Sequence, residues 1–406
     1  MRIGVYGGSF DPVHNGHIAM IKSALKSGFI DCVIVIPSVR NSFKLYTNKL
    51  PPPYRYYMMK ETIEGLGIKN CFVSDIEYDI DGVSYTAVVL EKLTSDDYIR
   101  PFLIANDVKR KKADEDHEFF WIMGSDTLGT FETWYKPGQI LNYATLLAAV
   151  RPGDDTDVEK AASSVMKNLG GKVEIFRLDG ICCSSSEITS SGDFSQVPGP
   201  AMEFIKRHAL YTENTKLWDV SEDARKLFFE SATWMYHYLG GKRLLHTLNV
   251  GYLSAHLAGV YGCDKDKALI AGALHDCAKE LPLDEQIEKA KKYSGDLFTE
   301  KKLLHSPAGA TFAKESLGIE DKEILDAICY HTTGRGDMSL LEKIVYLADK
   351  IEPSRNYTDL SPIRAAAEVD LDSAMRMTAS AVRDKFVSQG REIHPMTKLM
   401  MNDLKM

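Results

Sequence analysis

The strongest constraint on this chain is a change of periodicity near Tyr211. Ahead of it, short apolar runs alternate with amphipathic segments. Behind it, only helical patterns occur. The runs RIGVYG, CVIVIP, CFVSD, FFWIMG, TLLAAV and VEIFRL are rich in Val, Ile and aromatic residues. They are continuous rather than alternating, as strands are when both faces of a sheet are covered. Amphipathic stretches such as 17–27, 54–66 and 85–93 separate them. This order predicts an α/β domain with a parallel sheet and crossover helices. From Asp219 onward, the patterns at 242–261, 265–278, 322–331 and 339–350 predict an all-α domain. TENTKLWD, residues 212–219, reads as the linker, so the domains are expected over 1–211 and 220–406. The charged stretch NDVKRKKADEDHE, 106–118, reads as a solvated surface loop.

Composition narrows the function classes. An apolar share of 44% and a charged share of 26% suit a globular chain with a full core. A formal net charge of −8 gives no global case for nucleic-acid or membrane binding. The seven cysteines form no CxxC pair and fit reduced thiols in a cytoplasmic protein. No leader is expected, and no apolar run approaches the ~20 residues that span a bilayer.

GGSFDPVHNGH, residues 7–17, follows the first strand pattern. Glycines there let backbone N–H groups approach an anion at the carboxyl edge of the sheet. If a helix starts near Asn15, His14 and His17 lie at its electropositive N-terminus. Imidazoles so placed can donate to phosphate oxygens as charge builds up in phosphoryl or nucleotidyl transfer. The bare H-x-x-H spacing fits a strand–helix turn with surface histidines equally well. A two-histidine zinc site is less favoured, because the helical metal spacing is i, i+4 with a third ligand.

The wording GGSFDP-x-H-x-GH resembles the first signature of the nicotinate mononucleotide adenylyltransferases, in the nucleotidyltransferase superfamily with the HxGH motif. Further matches follow in family order: GVSYT (82–86), WIMGSDTL (121–128), VRPG (150–153), CSSSEIT (183–189) and VPGPAMEFIKRHALY (197–211). The resemblance covers roughly 1–211 and implies a Rossmann-like parallel-sheet nucleotidyltransferase domain. It implies catalytic roles for His14, His17 and the basic Lys44. ATP or substrate contacts are implied for Gly7, Gly8, Ser9, Phe10, Ser84, Tyr85, Thr86, Gly124, Asp126, Arg151, Ser184, Ser185, Ser186 and Ile188. Trp134 falls where the family stacks an aromatic on the pyridine ring. Three features depart from the family. Thr189 stands where the second signature has a phosphate-binding arginine, and Asp81 stands where a basic residue is common. Residues 96–118 are longer than usual. The implied reaction has the 5′-phosphate of nicotinate mononucleotide attack the α-phosphorus of ATP, with Mg²⁺ on the triphosphate.

In the second half, four histidines stand on or beside apolar helical stretches: His246, His275, His305 and His331. Asp276 and Asp349 join them. Imidazole and carboxylate together suit iron, manganese or zinc. Two metals about 4 Å apart can activate water and hold phosphate oxygens. The series H…HD…H…H…D resembles the HD-domain phosphohydrolases, and so predicts an HD-type helical domain. HDCAKELP, HSPAG, YHTTG and ADKIEPSR look like the branch that cuts diadenosine tetraphosphate symmetrically into two ADP at a two-iron centre. That resemblance assigns His246, His275, Asp276 and Asp349 to one metal, and Asp276, His305 and His331 to the second. Lys279, read as one helical turn beyond His275, would contact phosphate. Arg355 would do the same or form a surface salt bridge. His208, His237 and His256 read as structural or solvated.

The expectation is therefore a fused cytoplasmic enzyme for which a homodimer is open. It would act on ATP, nicotinate mononucleotide and diadenosine tetraphosphate, without nucleic-acid or membrane partners. Two alternatives stand beside it. The first half could be a weakened or sensing module. The helical half could hydrolyse another nucleotide, such as a deoxynucleoside monophosphate or a cyclic dinucleotide.

Overall fold

All six apolar runs form strands: β1 (Arg2–Gly8), β2 (Cys32–Pro37), β3 (Cys71–Val73), β4 (Glu118–Gly124), β5 (Ala144–Val150) and β6 (Val173–Arg177). The structure is a computed structural model that describes residues 1–40, 49–151, 157–179, 183–217 and 219–406. Its chain divides into two compact units, Met1–Phe204 and Ile205–Met406. No described helix is long and apolar enough to cross a membrane.

In the first unit the strands make one parallel sheet in the order β3-β2-β1-β4-β5-β6. Every residue of β2 is buried, which is why its sequence shows no alternation. The chain builds outward from β1 to β3, then restarts beside β1 at β4. The crevice at such a switch point, outside the carboxyl ends of the strands, is where open α/β sheets bind ligands. GGSF leaves β1 and GSD leaves β4, so the fold brings both motifs to that point. Gly7 serves packing as well as flexibility, because a Cβ there would come within 2.7 Å of the Trp121 ring.

Residues 106–118, read as a solvated surface loop, are mostly exposed and hold one short helix, while the whole insertion 96–118 is partly helical. It forms helices Asp96–Ala105 and Arg110–Ala113, and Ile99, Leu103 and Ala113 are buried in the sheet's core. The i, i+4 spacing of Ile99 and Leu103 turns one helical face inward, while the charges stay outside.

The second unit contains no strand among its described residues. Its helices Gly241–Tyr261 and Lys265–Leu274 pack at backbone distance. A Cβ on Gly272 would lie 2.8 Å from the Val250 carbonyl and 2.9 Å from Gly251 Cα. The pattern expected over 265–278 ends early, at Leu274, so that His275 caps the helix and Asp276 to Glu280 form a turn. His331 likewise caps helix Lys322–Tyr330, and His305 opens helix His305–Leu317. Asp349 lies in the last turn of helix Leu340–Ile351, whose start is fixed by a capping box between Ser339 and Glu342.

Candidate functional site

At the sheet edge, His14 is the N-cap of helix Asn15–Lys26 and His17 is its third residue. Each ring caps the other's backbone. His17 N donates to His14 Nδ1 at 3.4 Å, and His14 N donates to His17 Nδ1 at 3.2 Å. The rings stack with centroids 3.6 Å apart. Burial, together with the Arg151 charge, holds His14 down to about 4; burial, His14 and Arg151 hold His17 well below the usual range. Both rings are therefore neutral near pH 7. With Nδ1 accepting, each neutral ring carries its proton on Nε2. The H-x-G-H spacing thus yields two fixed Nε2–H donors. Gly16 permits the stack, because a Cβ there would meet His14 Nδ1 at 3.0 Å.

Around this pair, Ser9 Oγ accepts from Lys49 Nζ at 2.6 Å, and Ser9 O accepts from Arg55. Asp126 lies in the first turn after β4, and its carboxylate would collide with any Cβ on Gly124. Ser184 caps helix Ser185–Ser191 by accepting from Glu187 N, and Ser185 Oγ donates to Pro12 O at 2.9 Å. This ties the second signature to the first. Ser186 O and Ser185 O both accept from the Thr189 hydroxyl, which is folded onto its own helix. The side chains of Phe10 and Ile188 are buried and shape the turn and the helix. Phe10 sets its ring edge against His17.

The loop Ser84–Tyr85–Thr86 opens helix Thr86–Leu93. Buried Glu77 braces it from behind, accepting from Val39 N at 2.7 Å and interacting with Ser84. Burial pushes Glu77 up to about 7. Trp134 is half-buried and tilts against Phe131, partly in the core. It is the neighbouring, exposed Tyr135 that stacks on Tyr85, at 4.3 Å. Lys44, Pro152 and Gly153 lie outside the described residues.

In the helical unit the four histidines and two aspartates converge, all six buried. Three overlapping groups bring ligand atoms within 4.8 Å of one another: His246 with His275 and Asp276, His275 with His331 and Asp349, and Asp276 with His305 and His331. Asp276 Oδ1 is 3.1 Å from His305 Nε2 and 3.4 Å from His331 Nε2. Neither Asp276 Oδ1 nor His275 Nε2 has a hydrogen-bond partner among the described residues. Buried polar atoms left without partners are costly, and lone pairs converging on one point suit a cation. The Nδ1 atoms face away: His275 Nδ1 bonds Gly272 O at 2.7 Å, and His331 Nδ1 bonds Ile328 O at 2.8 Å. This leaves each Nε2 lone pair aimed inward.

The charge states match. Burial holds His331 down to about 3 and lowers His305. Burial opposes charge on Asp276, but the surrounding histidines outweigh it and hold the carboxyl well below the usual range. At Asp349, Lys350 and the histidines do the same. Neutral His305 and His331 beside ionised carboxylates are what a metal needs; at His246 burial opposes charge, but Asp349 and Glu352 outweigh it and raise its pKa.

Cations rim the centre. Arg243 donates to Asp276 Oδ2 at 2.7 Å, and Lys350 to Asp349 Oδ2 at 2.6 Å. Lys279 lies in the turn after His275, not on a helix, with Nζ 2.9 Å from His305 Nε2. Arg355 donates to Asp349 Oδ1 at 2.8 Å, so it belongs to the centre and is not a surface salt bridge. A cavity of about 540 Å³ opens from here, with an apolar wall that includes Leu360, Ile363, Val382 and Phe386.

Residues 243–354 match the family model described as HD domain, whose members bind divalent metal. The chain is 38% identical over 165 residues to the symmetrical bis(5′-nucleosyl)-tetraphosphatase of Halalkalibacterium halodurans, covering 40% of this chain and 88% of that protein. Through its helical half, the chain belongs to the HD-domain symmetrical tetraphosphatase family. Residues 5–190 match a second model, described as cytidylyltransferase-like. A Mycoplasma pneumoniae protein named "Probable nicotinate-nucleotide adenylyltransferase/Ap4A hydrolase" is 28% identical over 386 residues, covering 93% of this chain and 98% of its own length. A Clostridium beijerinckii protein named "Probable nicotinate-nucleotide adenylyltransferase" is 28% identical over 216 residues, covering 52% of this chain and 98% of its own.

In the tetraphosphatase half, sequence reasoning missed Arg243, Lys350 and a buried chain behind His246. That chain runs through Glu352 and Asn249 to His208, which the sequence left without a role. The only signal was that Glu352 follows ADKI in the quoted motif. In the cytidylyltransferase-like half it missed Lys49, Glu77 and Tyr135.

Proposed function

We propose that this is a two-headed nucleotide enzyme of the cytoplasm. Its first unit transfers the adenylyl group of Mg²⁺-bound ATP to nicotinate mononucleotide, giving nicotinate adenine dinucleotide and pyrophosphate. Its HD unit hydrolyses diadenosine tetraphosphate at the central P–O–P bridge, so that one water and one substrate yield two ADP. The observation that carries the hydrolase reading is the convergence of the buried His/Asp groups, with Asp276 shared between them.

Asp276, His246, His275 and Asp349 would hold one ion, and Asp276, His305 and His331 would hold a second. Iron is the first choice of metal. Two such ions, when bound, supply positive charge to phosphate oxygens and activate water. Arg243 fixes the outer oxygen of Asp276, and Lys350 and Arg355 fix both oxygens of Asp349, so the carboxylates cannot rotate away. Lys279, whose pKa burial lowers, stands at the cavity edge to meet the polyphosphate. The apolar wall gives a nucleoside a surface to lie on.

In the transferase unit, the two Nε2–H donors of His14 and His17 and the Arg151 guanidinium stabilise charge as the α-phosphorus is attacked. The stacked Tyr85–Tyr135 pair, with Trp134 nearby, supports a planar substrate ring at the GVSYT loop. One observation favours a second reading, that this unit is a weakened or sensing module. The Thr189 hydroxyl is spent on its own helix and supplies no cation.

Two assays on the intact purified chain decide these readings. Metal-loaded protein given diadenosine tetraphosphate should release ADP alone; AMP with ATP would overturn the symmetrical cut. Nicotinate mononucleotide with Mg²⁺ and ATP should release pyrophosphate and dinucleotide. Binding of ATP without either product would establish the sensing reading instead.

A further inference from the structure

A histidine that places one ring nitrogen toward a metal is best fixed when the proton on the other finds an acceptor; His305, whose ring lies against the Lys279 ammonium, has none among the described residues. His275 and His331 solve this at helix ends, where carbonyls are left over. Each bonds the carbonyl three residues back. His246 cannot do so. It lies inside helix Gly241–Tyr261, whose interior carbonyls are taken by the helix itself. Its acceptor must come from elsewhere in the fold.

Glu352 is that acceptor. Its Oε1 lies 3.1 Å from His246 Nδ1, while His246 Nε2 faces Asp349 Oδ1 at 3.1 Å. A carboxylate can only accept, and both ring nitrogens of His246 face one: Glu352 gives the Nδ1 proton a fixed acceptor, so that Nε2 is the nitrogen that would release its proton to a metal. Glu352 is 1% exposed and belongs to none of the candidate ligand groups. It is held in turn. Asn249 Nδ2 donates to its Oε2 at 2.9 Å, and Ser354 donates through its backbone N at 2.7 Å and its hydroxyl at 2.6 Å. The Asn249 amide also lies 2.9 Å from His208 Nδ1, another buried group. A buried carboxylate this well held is expensive to keep unless it has a task.

We propose that Glu352, fixed by Asn249 and Ser354, is a positioning residue that sets the orientation and tautomer of His246 for metal binding. This rests on the two-metal reading of the HD centre. Loss of such a partner behind a metal-binding histidine costs about 10- to 100-fold in affinity.

The test is metal binding by the full-length protein, stripped of metal and titrated with Mn²⁺, with free ion followed by electron paramagnetic resonance. Wild type should bind two ions. Glu352→Gln should weaken one of them by about 10- to 100-fold and leave the other within about twofold. In a His246→Gln background the same change should cost less than about twofold, because its target is gone. Wild-type affinity in Glu352→Gln, or equal weakening in both backgrounds, would overturn the proposal. Should Glu352→Gln fail to fold, Asn249→Ala must weaken the same ion, and an unchanged titration would overturn the proposal as well. A wild type that binds fewer than two ions would instead sink the two-metal reading on which it stands.

Discussion

Under the proposed function the two sites face the same problem, holding phosphate charge, and they are built of opposite materials. The HD centre is built of side chains on helices and helix ends, and its six central residues are all buried. The nucleotidyltransferase site is assembled from turns at the edge of a sheet. There the neutral donors His14 and His17 are fixed by capping one another's backbone. The difference follows from the cargo. Buried carboxylates are tolerable when cations and a network compensate them. A site that admits a bulky triphosphate must stay open, so its rigidity comes from local backbone capping.

That contrast can be broken in four ways, taken from the largest effect. Chelation should abolish tetraphosphate hydrolysis, with activity returning on adding Mn²⁺ or Fe²⁺. Metal at 100-fold its Kd should add about 2.7 kcal/mol to the stability of the second unit. Calorimetric scans with and without metal check this, and an unshifted transition would contradict it.

The second concerns pH. Glu77 has its folded pKa raised to about 7 from an ordinary 4.5. Its contribution is fully present below the unfolded pKa and is lost as pH rises through the folded one. Over that window the first unit should lose up to roughly 3 kcal/mol from this group. Glu77→Gln, which keeps an acceptor for Val39 N, should flatten that dependence in urea unfolding at pH 5 and pH 8. An equally steep variant would show that the carboxyl is not the titrating group.

Third, Lys279→Ala should lower kcat/KM for the tetraphosphate by tens of fold, about 2 kcal/mol for a charged contact. Its bound metal should be unchanged. A loss of metal instead would place Lys279 in support of His305. The smallest effect tests the weak point of the first site. Thr189→Arg should raise dinucleotide synthesis about tenfold, near the value of one charge-assisted hydrogen bond. No gain would mean that Arg151 and the histidines already suffice.

Much of this was legible in the sequence, for physical reasons. A fully buried parallel strand has to be a continuous apolar run, and all six strands showed as one. Histidine on an apolar helical face needs a partner, so four of them announced a centre. What stayed hidden was pairing over distance. Glu352 reaches His246 across 106 residues and Asn249 across 103. Only the packing of helices Gly241–Tyr261 and Leu340–Ile351 brings them together. Charge density over 106–118 marked a mostly exposed stretch and hid only the short helix that buries Ala113. The Tyr85–Tyr135 stack stayed hidden as well, because it joins residues fifty positions apart.

The central claim is that one chain carries two active centres, each complete within its own residues. Crossed single variants of the intact chain test it most directly, with both reactions measured on each. His17→Ala should lose dinucleotide synthesis by about 10²- to 10³-fold, as removal of a charge-stabilising donor does, and keep tetraphosphate hydrolysis. Asp276→Asn should lose hydrolysis and keep synthesis. If either substitution abolishes both reactions in a folded protein, or neither reaction responds to its own variant, the account is wrong.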